Sequence, residues 1–288
     1  MKSAIIIRCP LAAFILLSAA VLHAQATREY DFPGTYKKRS AQGMAIHKDT
    51  AFLLNDQGHC RIYDLKAKTM TAEYDLASAA PGNHANCASF GVEYPKDNAK
   101  YPALYISECK APYRCFVESV DENGSRLIQT LQLKTSGFDE KIADWFVDPA
   151  QKCLYVITHA SKVTDDKGTK SHIISKLPLP SLREENVTFG KKDILDQFEV
   201  TFTNLLQGGA IRGGFLYLPV GLHDTPKHME RKDRDRAVVV VDLKTKRIVK
   251  TVNVNASVPH EPEDADFYND TLLMYCGQKG GLFKIPLD

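Results

Sequence analysis

One pattern constrains the fold of this chain more than any other: a polar residue, a short apolar run, a tight turn and a second short run, met five times. Its clearest copy is residues 42–65, QGMAIHKDTAFLLNDQGHCRIYDL. Gln42 opens the first run, Lys48-Asp49 turns the chain, and HCRIYDL alternates before a further turn at 66–69. Period-two alternation, β-branched and aromatic residues inside the runs, and turn residues between them are the marks of consecutive antiparallel strands.

The later copies follow in order. HANCASFGVEY, ALYISEC, YRCFVESVD and RLIQTLQL form the second, with Asn123-Gly124 as a hairpin signal. ADWFVDPAQKCLYVITH, SHIISKLPLP and residues 187–202 form the third, turning first at Asp148-Pro149. QGGAIRGGFLYLPVG, a polar excursion at 222–236, AVVVVDL and IVKTVNV form the fourth. EPEDADFYNDTLLMYCG and GLFKIPL form the fifth. The openings Gln42, His84, Asp144, Gln207 and Glu261 stand 42, 60, 63 and 54 residues apart. A four-stranded antiparallel unit of roughly 40–50 residues is the blade of a β-propeller. The sequence therefore predicts an all-β, five-bladed β-propeller over 27–288, with a pair of β-sandwiches as the alternative. Beyond one turn near 193–198, no stretch carries helical periodicity. The fifth unit is short of strands, and residues 28–32 form an orphan strand before the first. Pairing the two would close the ring and hide a sheet edge.

Residues 1–26 read as a leader. Lys2 and Arg8 precede an apolar run at 11–22 that ends in Ala24-Gln25-Ala26, the layout of a secretory signal peptide cleaved after Ala26. The run is too short to span a bilayer, so the expectation is a secreted or periplasmic protein with no membrane span. Lys+Arg total 37 against 35 Asp+Glu, which gives no field to recruit nucleic acid or anionic lipid. Six cysteines follow the leader, and Cys109 and Cys115, bracketing KAPYR, suggest a hairpin disulfide. No Cys/His spacing matches a structural zinc site.

In a propeller the innermost strand of each blade lines a central channel. Its openings here bring Gln42, His84, Asn86, Asp144, Gln207, Glu261 and Glu263 to one mouth, three of the seven being carboxylates. Glu261 and Glu263 flank Pro262; on an extended segment they share a side, where two carboxyls can share a proton for acid–base work or hold a hard cation such as Ca²⁺. Asp144 is the third carboxylate, and His84 is a general base or a hydrogen-bonded structural residue. Catalytic candidates are thus His84, Asp144, Glu261 and Glu263, and substrate-binding candidates are Gln42, Asn86, Gln207 and His159. The competing reading is a polar channel whose groups only satisfy one another. The ends of the second strands, Asn55-Asp56, Ser107-Glu108, Thr158-His159, Val220-Gly221 and Cys276-Gly277, are expected towards the opposite end or the blade middle. Trp145 is expected to be buried against a neighbouring blade. No GxSxG elbow and no phosphate-binding glycine loop is present.

QGMAIHKDTAFLLND, HAN, LQGGAIRGGFLYLPVG and EPEDADFYNDTLLMY together resemble the inner-strand motifs of five-bladed propellers in phage receptor-binding proteins and teichoic-acid-degrading enzymes. That resemblance implies a funnel engaging a glycan or phosphate-containing polymer, with Gln42, His84, Asn86, Gln207 and Glu263 at its mouth. The expected function is binding, with or without hydrolysis, of a carbohydrate or phosphodiester-linked ligand. The alternative is a non-catalytic module that captures a protein partner through loops such as 222–236.

Overall fold

The computed structural model describes residues 20–32, 39–96, 98–134, 141–159, 163–277 and 281–287. The charged start of the expected leader, with Cys9, and residues 160–162 lie outside them. Two strands come first, β1 (Ala20–His23) and β2 (Thr27–Tyr30). The first repeat folds as β3 (Ala41–His47), β4 (Thr50–Asn55), β5 (His59–Asp64) and β6 (Thr69–Asp75), an antiparallel meander. The second gives β7 (Ala85–Phe90), β8 (Leu104–Glu108), β9 (Cys115–Asp121) and β10 (Gly124–Leu133). The third gives β11 (Ile142–Asp148), β12 (Cys153–Thr158), β13 (Lys170–Pro178), β14 (Asn186–Phe189) and β15 (Asp196–Phe202). The fourth gives β16 (Ala210–Arg212), β17 (Phe215–Val220), β18 (Ala237–Asp242) and β19 (Arg247–Asn253). The fifth gives β20 (Pro262–Tyr268), β21 (Thr271–Cys276) and β22 (Leu282–Ile285).

These strands form five small sheets arranged as a five-bladed β-propeller. β2 pairs antiparallel with β22 and completes the fifth blade, so the N-terminal strand closes the ring as its orphan status suggested. Three details differ from the sequence expectation. β14 leaves its own blade and pairs in parallel with β10 of the second, so β15 alone is the outer strand of the third. The helical turn falls at Lys191–Asp193, before the expected place, because Asp196–Phe202 is drawn into pairing with β13. β1, inside the expected leader, pairs in parallel with β19. No helix among the described residues is long and apolar enough to cross a membrane.

The core is not one mass but five layers, one between each pair of neighbouring blades. Phe52, Leu54, Leu104 and Ile106 fill the gap between the first and second blades, with Tyr101 edge-on to Phe52 at 5.0 Å. Trp145 lies fully buried against Tyr105, Cys115 and Val117 of the second blade, as expected. Phe146, Leu216 and Val239 join the third and fourth blades, Val238 and Met274 the fourth and fifth, and Leu53, Tyr63 and Tyr275 the fifth and first. The second strands β4, β8, β12 and β21 thus pack on both faces, which is why their runs are continuously apolar, while outer strands such as β6 and β15 keep an exposed face. Each fully buried Leu, Ile, Val or Phe contributes roughly 1.5–3 kcal/mol of transfer free energy.

All six cysteines among the described residues are free. The expected Cys109–Cys115 bridge is not formed. Cys115 on β9 is buried between the second and third blades, whereas Cys109, just past β8, faces His159.

Candidate functional site

The site is built by a backbone feature that recurs in every blade. Pairing between the first two strands slips by one residue at the start of the inner strand, between Ala41 and Met44, Ala85 and Cys87, Ile142 and Asp144, and Pro262 and Asp264. The fourth blade repeats it between the Leu206–Val220 bridge and the Ala210–Tyr217 pair. A bulge re-aims side chains out of the pleat. It brings Gln42, Asn86, Gln207 and Glu263 to face residues of neighbouring blades.

There they pair around the ring. Gln42 Nε2 donates to Glu263 Oε2 at 2.9 Å, and Asn86 Nδ2 lies 3.0 Å from both oxygens of Asp144. Gln207 Nε2 donates to Glu261 Oε1 and to the Gly221 carbonyl, each at 3.1 Å. The seven ring residues therefore meet at one mouth, each carboxylate with an amide partner. Glu261 and Glu263 do not share a hydrogen bond. Glu263 is buried and Glu261 sits at the rim, where His223 Nδ1 lies 3.3 Å from its Oε2. Gly277 and Gly208 make room, since a Cβ on Gly277 would lie 2.2 Å from Glu263 Oε1 and one on Gly208 would lie 2.3 Å from Asp264 Oδ1.

Beneath the ring is a carboxyl that the sequence reading passed over. Asp264 Oδ2 accepts from the Met44 and Ala88 amides at 2.7 and 3.0 Å, and Oδ1 from Gly209 and Ala265 at 2.6 and 2.8 Å. It joins the first, second, fourth and fifth blades at one point. Inner strands have an unpaired edge facing the channel, and buried amides there need acceptors. Asp266 Oδ2 supplies one to Ile46, Ser107 Oγ to Trp145, and Ser89 Oγ to Val147. The EPEDADF run contains the signal, two further acids at 264 and 266, but only the bulge decides which acid faces the centre.

The second-strand ends are corrected by the structure. Antiparallel pairing sets Asn55 beside Ala41, Glu108 beside Ala85, Thr158 beside Ile142 and Cys276 beside Pro262. They lie at the same mouth as the ring, because a hairpin returns the end of its second strand to the start of its first. His159 is thereby placed at this mouth, with Nε2 3.5 Å from Cys109 Sγ.

Burial controls the protonation of these groups. It pushes Asp144 up to about 7, opposed by the Asn86 hydrogen bond. Burial also raises Glu263 well above the usual carboxylate range, helped by the nearby negative charges of Glu261, Asp264 and Asp56. Asp264 is pushed up by burial against the pull of its amide donors. His84 and His159 are lowered, first by burial and then by Lys110 and Lys141 respectively; the Asn86 side chain hydrogen-bonds the His84 ring. The mouth therefore presents neutral imidazoles beside carboxyls that hold protons near neutral pH, a set suited to acid–base chemistry or to hydrogen-bonding an uncharged polar ligand. Among the described residues no three His, Cys, Asp or Glu side chains are placed to hold a metal ion.

No family model matches the chain, and no curated protein matches it. Nothing among the families thus connects its inner-strand motifs to phage receptor-binding or teichoic-acid-degrading propellers. Among solved structures the chain is similar to the crystal structure of Myxococcus xanthus glutaminyl cyclase, at 15% identity and a TM-score of 0.54. The match covers 94% of this chain and 99% of that one. At that identity the likeness is one of fold.

Proposed function

We propose that this is an exported five-bladed propeller whose ring mouth binds a carbohydrate or phosphodiester-linked polymer. The observation that carries the reading is Gln42. Its Nε2 is held by Glu263, while its Oε1 is buried with no hydrogen-bond partner. A buried amide oxygen left unmet costs roughly 1–3 kcal/mol, and a ligand hydroxyl entering the mouth would meet it. Donors and acceptors of both kinds surround it in His84, Asn86, Gln207, Glu261 and His159, the mixed set that hydroxyl-rich ligands require. The excursion at 222–236 supports a walled site rather than a free capture loop. Arg236 is buried and bound to Asp224, Leu222 donates to the Arg234 carbonyl, and His223 reaches Glu261.

Hydrolysis at the same mouth is the second reading, favoured by the proton-holding Asp144 and Glu263 beside the neutral His84. In that role a carboxyl donates to the leaving oxygen and the imidazole activates water. That a glutaminyl cyclase, an enzyme, shares the fold supports a catalytic use of this architecture.

The test is binding and turnover of neutral oligosaccharides and of a glycerol-phosphate polymer by the full chain. Gln42→Ala and the double variant Glu261→Ala/Glu263→Ala are each expected to weaken binding about tenfold or more. Binding and turnover untouched by the double variant would sink the proposal. Loss of partner capture on trimming 222–236, with ring variants silent, would favour the interaction module instead.

A further inference from the structure

The channel has a second mouth, where the inner strands end, and its chemistry is different. A cavity of about 210 Å³ opens there, lined by residues from all five blades: Ile46 and His47, Phe90, Phe146, Ile211 and Asp266 form its working surface. That volume is far above the roughly 10–15 Å³ that admits a single water, so it accommodates a small organic molecule. Its walls are part apolar and aromatic, part polar; Ser89 Oγ is taken by the Val147 amide, and two other polar side chains face the space.

The first is Asp266. Its Oδ2 accepts from Ile46 N and its Oδ1 from Phe267 N, both at 2.7 Å, which fixes the carboxyl and leaves lone pairs towards the cavity. Among the described residues it has no ion-pair partner. Arg212, the basic side chain whose charge acts on it, is engaged by Asp270 and the Asn269 carbonyl and lies over Phe267. The second is His47, whose Nε2 is buried without a hydrogen-bond partner while its ring stands edge-on to Phe90 at 5.6 Å. A fixed carboxyl without a cation, an unmet imidazole nitrogen and aromatic walls in one cavity have a common complement.

We propose that this far mouth is a binding site for a small organic ammonium, a primary amine on a short aromatic or apolar body. The ammonium donates to Asp266 and to His47 Nε2, and the apolar body lies against Phe90, Phe146 and Ile211. Burial raises Asp266 to about 7 in the free chain; as the ammonium seats, the carboxyl proton passes to solvent. The N⁺–H to carboxylate bond so formed is among the stronger hydrogen bonds a site can offer, while the aromatic rings favour a cation over a neutral isostere. This site lies at the opposite end of the channel from the ring and stands or falls independently of it.

Benzylamine, benzyl alcohol and benzoate, which differ in one functional group, test it by calorimetric titration of the full chain. Benzylamine is expected to bind saturably, with the alcohol and the acid about tenfold or more weaker. Asp266→Asn is expected to lose about tenfold or more in benzylamine affinity. Should loss of that acceptor prevent folding, His47→Phe keeps the ring contact and removes the nitrogen, with an expected loss of about threefold. Equal affinity for benzyl alcohol, no benzylamine binding, or His47→Phe binding benzylamine like the unaltered chain would each overturn the proposal.

Discussion

At the scale of single residues, the centre of this molecule is governed by carboxyls that burial keeps from ionising. Asp144 is fully buried and held at about 7, whereas an unfolded chain releases that proton near 3.8. The native state therefore binds more protons between those values, and stability falls as pH rises from about 4 to about 7, then levels. The full effect of one such group is on the order of 4 kcal/mol. Asp266, also raised to about 7 by burial, acts in the same sense. Asp233 acts in the opposite sense and in a lower window. Against a burial penalty, Arg231 and Lys170 hold it at about 2, so its contribution is present above the unfolded value and lost as pH falls towards 2. Melting temperature should thus peak near pH 4 and decline towards neutrality. Asp144→Asn should flatten that decline, and an unchanged slope in a calorimetric pH series would show that Asp144 is ionised in the native state. The ring residues were legible because each opens a repeat with a polar side chain. Asp264 was not: it lies one residue from Glu263, and only the bulge turns it to the axis to meet four amides from four blades.

At the scale of elements, the meander was legible because each hairpin is specified locally by its turn and by the composition of its runs. What depended on long-range choice was not. β14 carries ordinary strand composition, and nothing in NVTF states that it will pair with β10 of another blade rather than follow β13. Likewise, reading the second-strand ends as remote from the mouth treated strands singly, when the hairpin fixes both. The recurrent bulge depends on close approach at its glycines. Gly208→Ala should displace the Asp264 carboxyl, whose Oδ1 stands 2.3 Å from the new Cβ, and destabilise the fold by roughly 1–3 kcal/mol. Gly82→Ala is the control, since no atom lies within 4 Å of its Cβ, and should change stability by less than about 0.5 kcal/mol. Urea denaturation of the pair checks this. Equal stability of both variants would mean that the centre tolerates movement of Asp264.

At the scale of the whole molecule, the question is what the ring needs for closure. β2 supplies the outer strand of the fifth blade, and its Tyr30, with Phe32 stacked on Tyr63 at 3.9 Å, seals the layer between the fifth and first blades. β1 has a lesser role. It is a fifth strand on a blade that already holds four, it covers only residues 250–253 of the β19 edge, beginning at Lys250, and charged edges resist unwanted pairing without cover. Ala26 is buried and its amide donates to Ser257 Oγ at 2.9 Å, and the Ala24 amide donates to the Asn253 carbonyl at 3.0 Å, so cleavage after Ala26, as proposed for an exported chain, removes these small contacts along with β1. A chain starting at Thr27 is therefore expected to keep the fold, with a melting temperature lowered by no more than about 5 °C. A chain starting at Pro33 removes two buried aromatic side chains and bares β22 as an edge. It should lose roughly 3–6 kcal/mol and aggregate on mild heating. Differential scanning calorimetry with light scattering on the two truncations separates the cases. If both melt alike, the ring is held by its inner strands and interblade layers, and the N-terminal strand is an accessory. If only the shorter chain collapses, closure by β2 is what makes the five blades one cooperative unit.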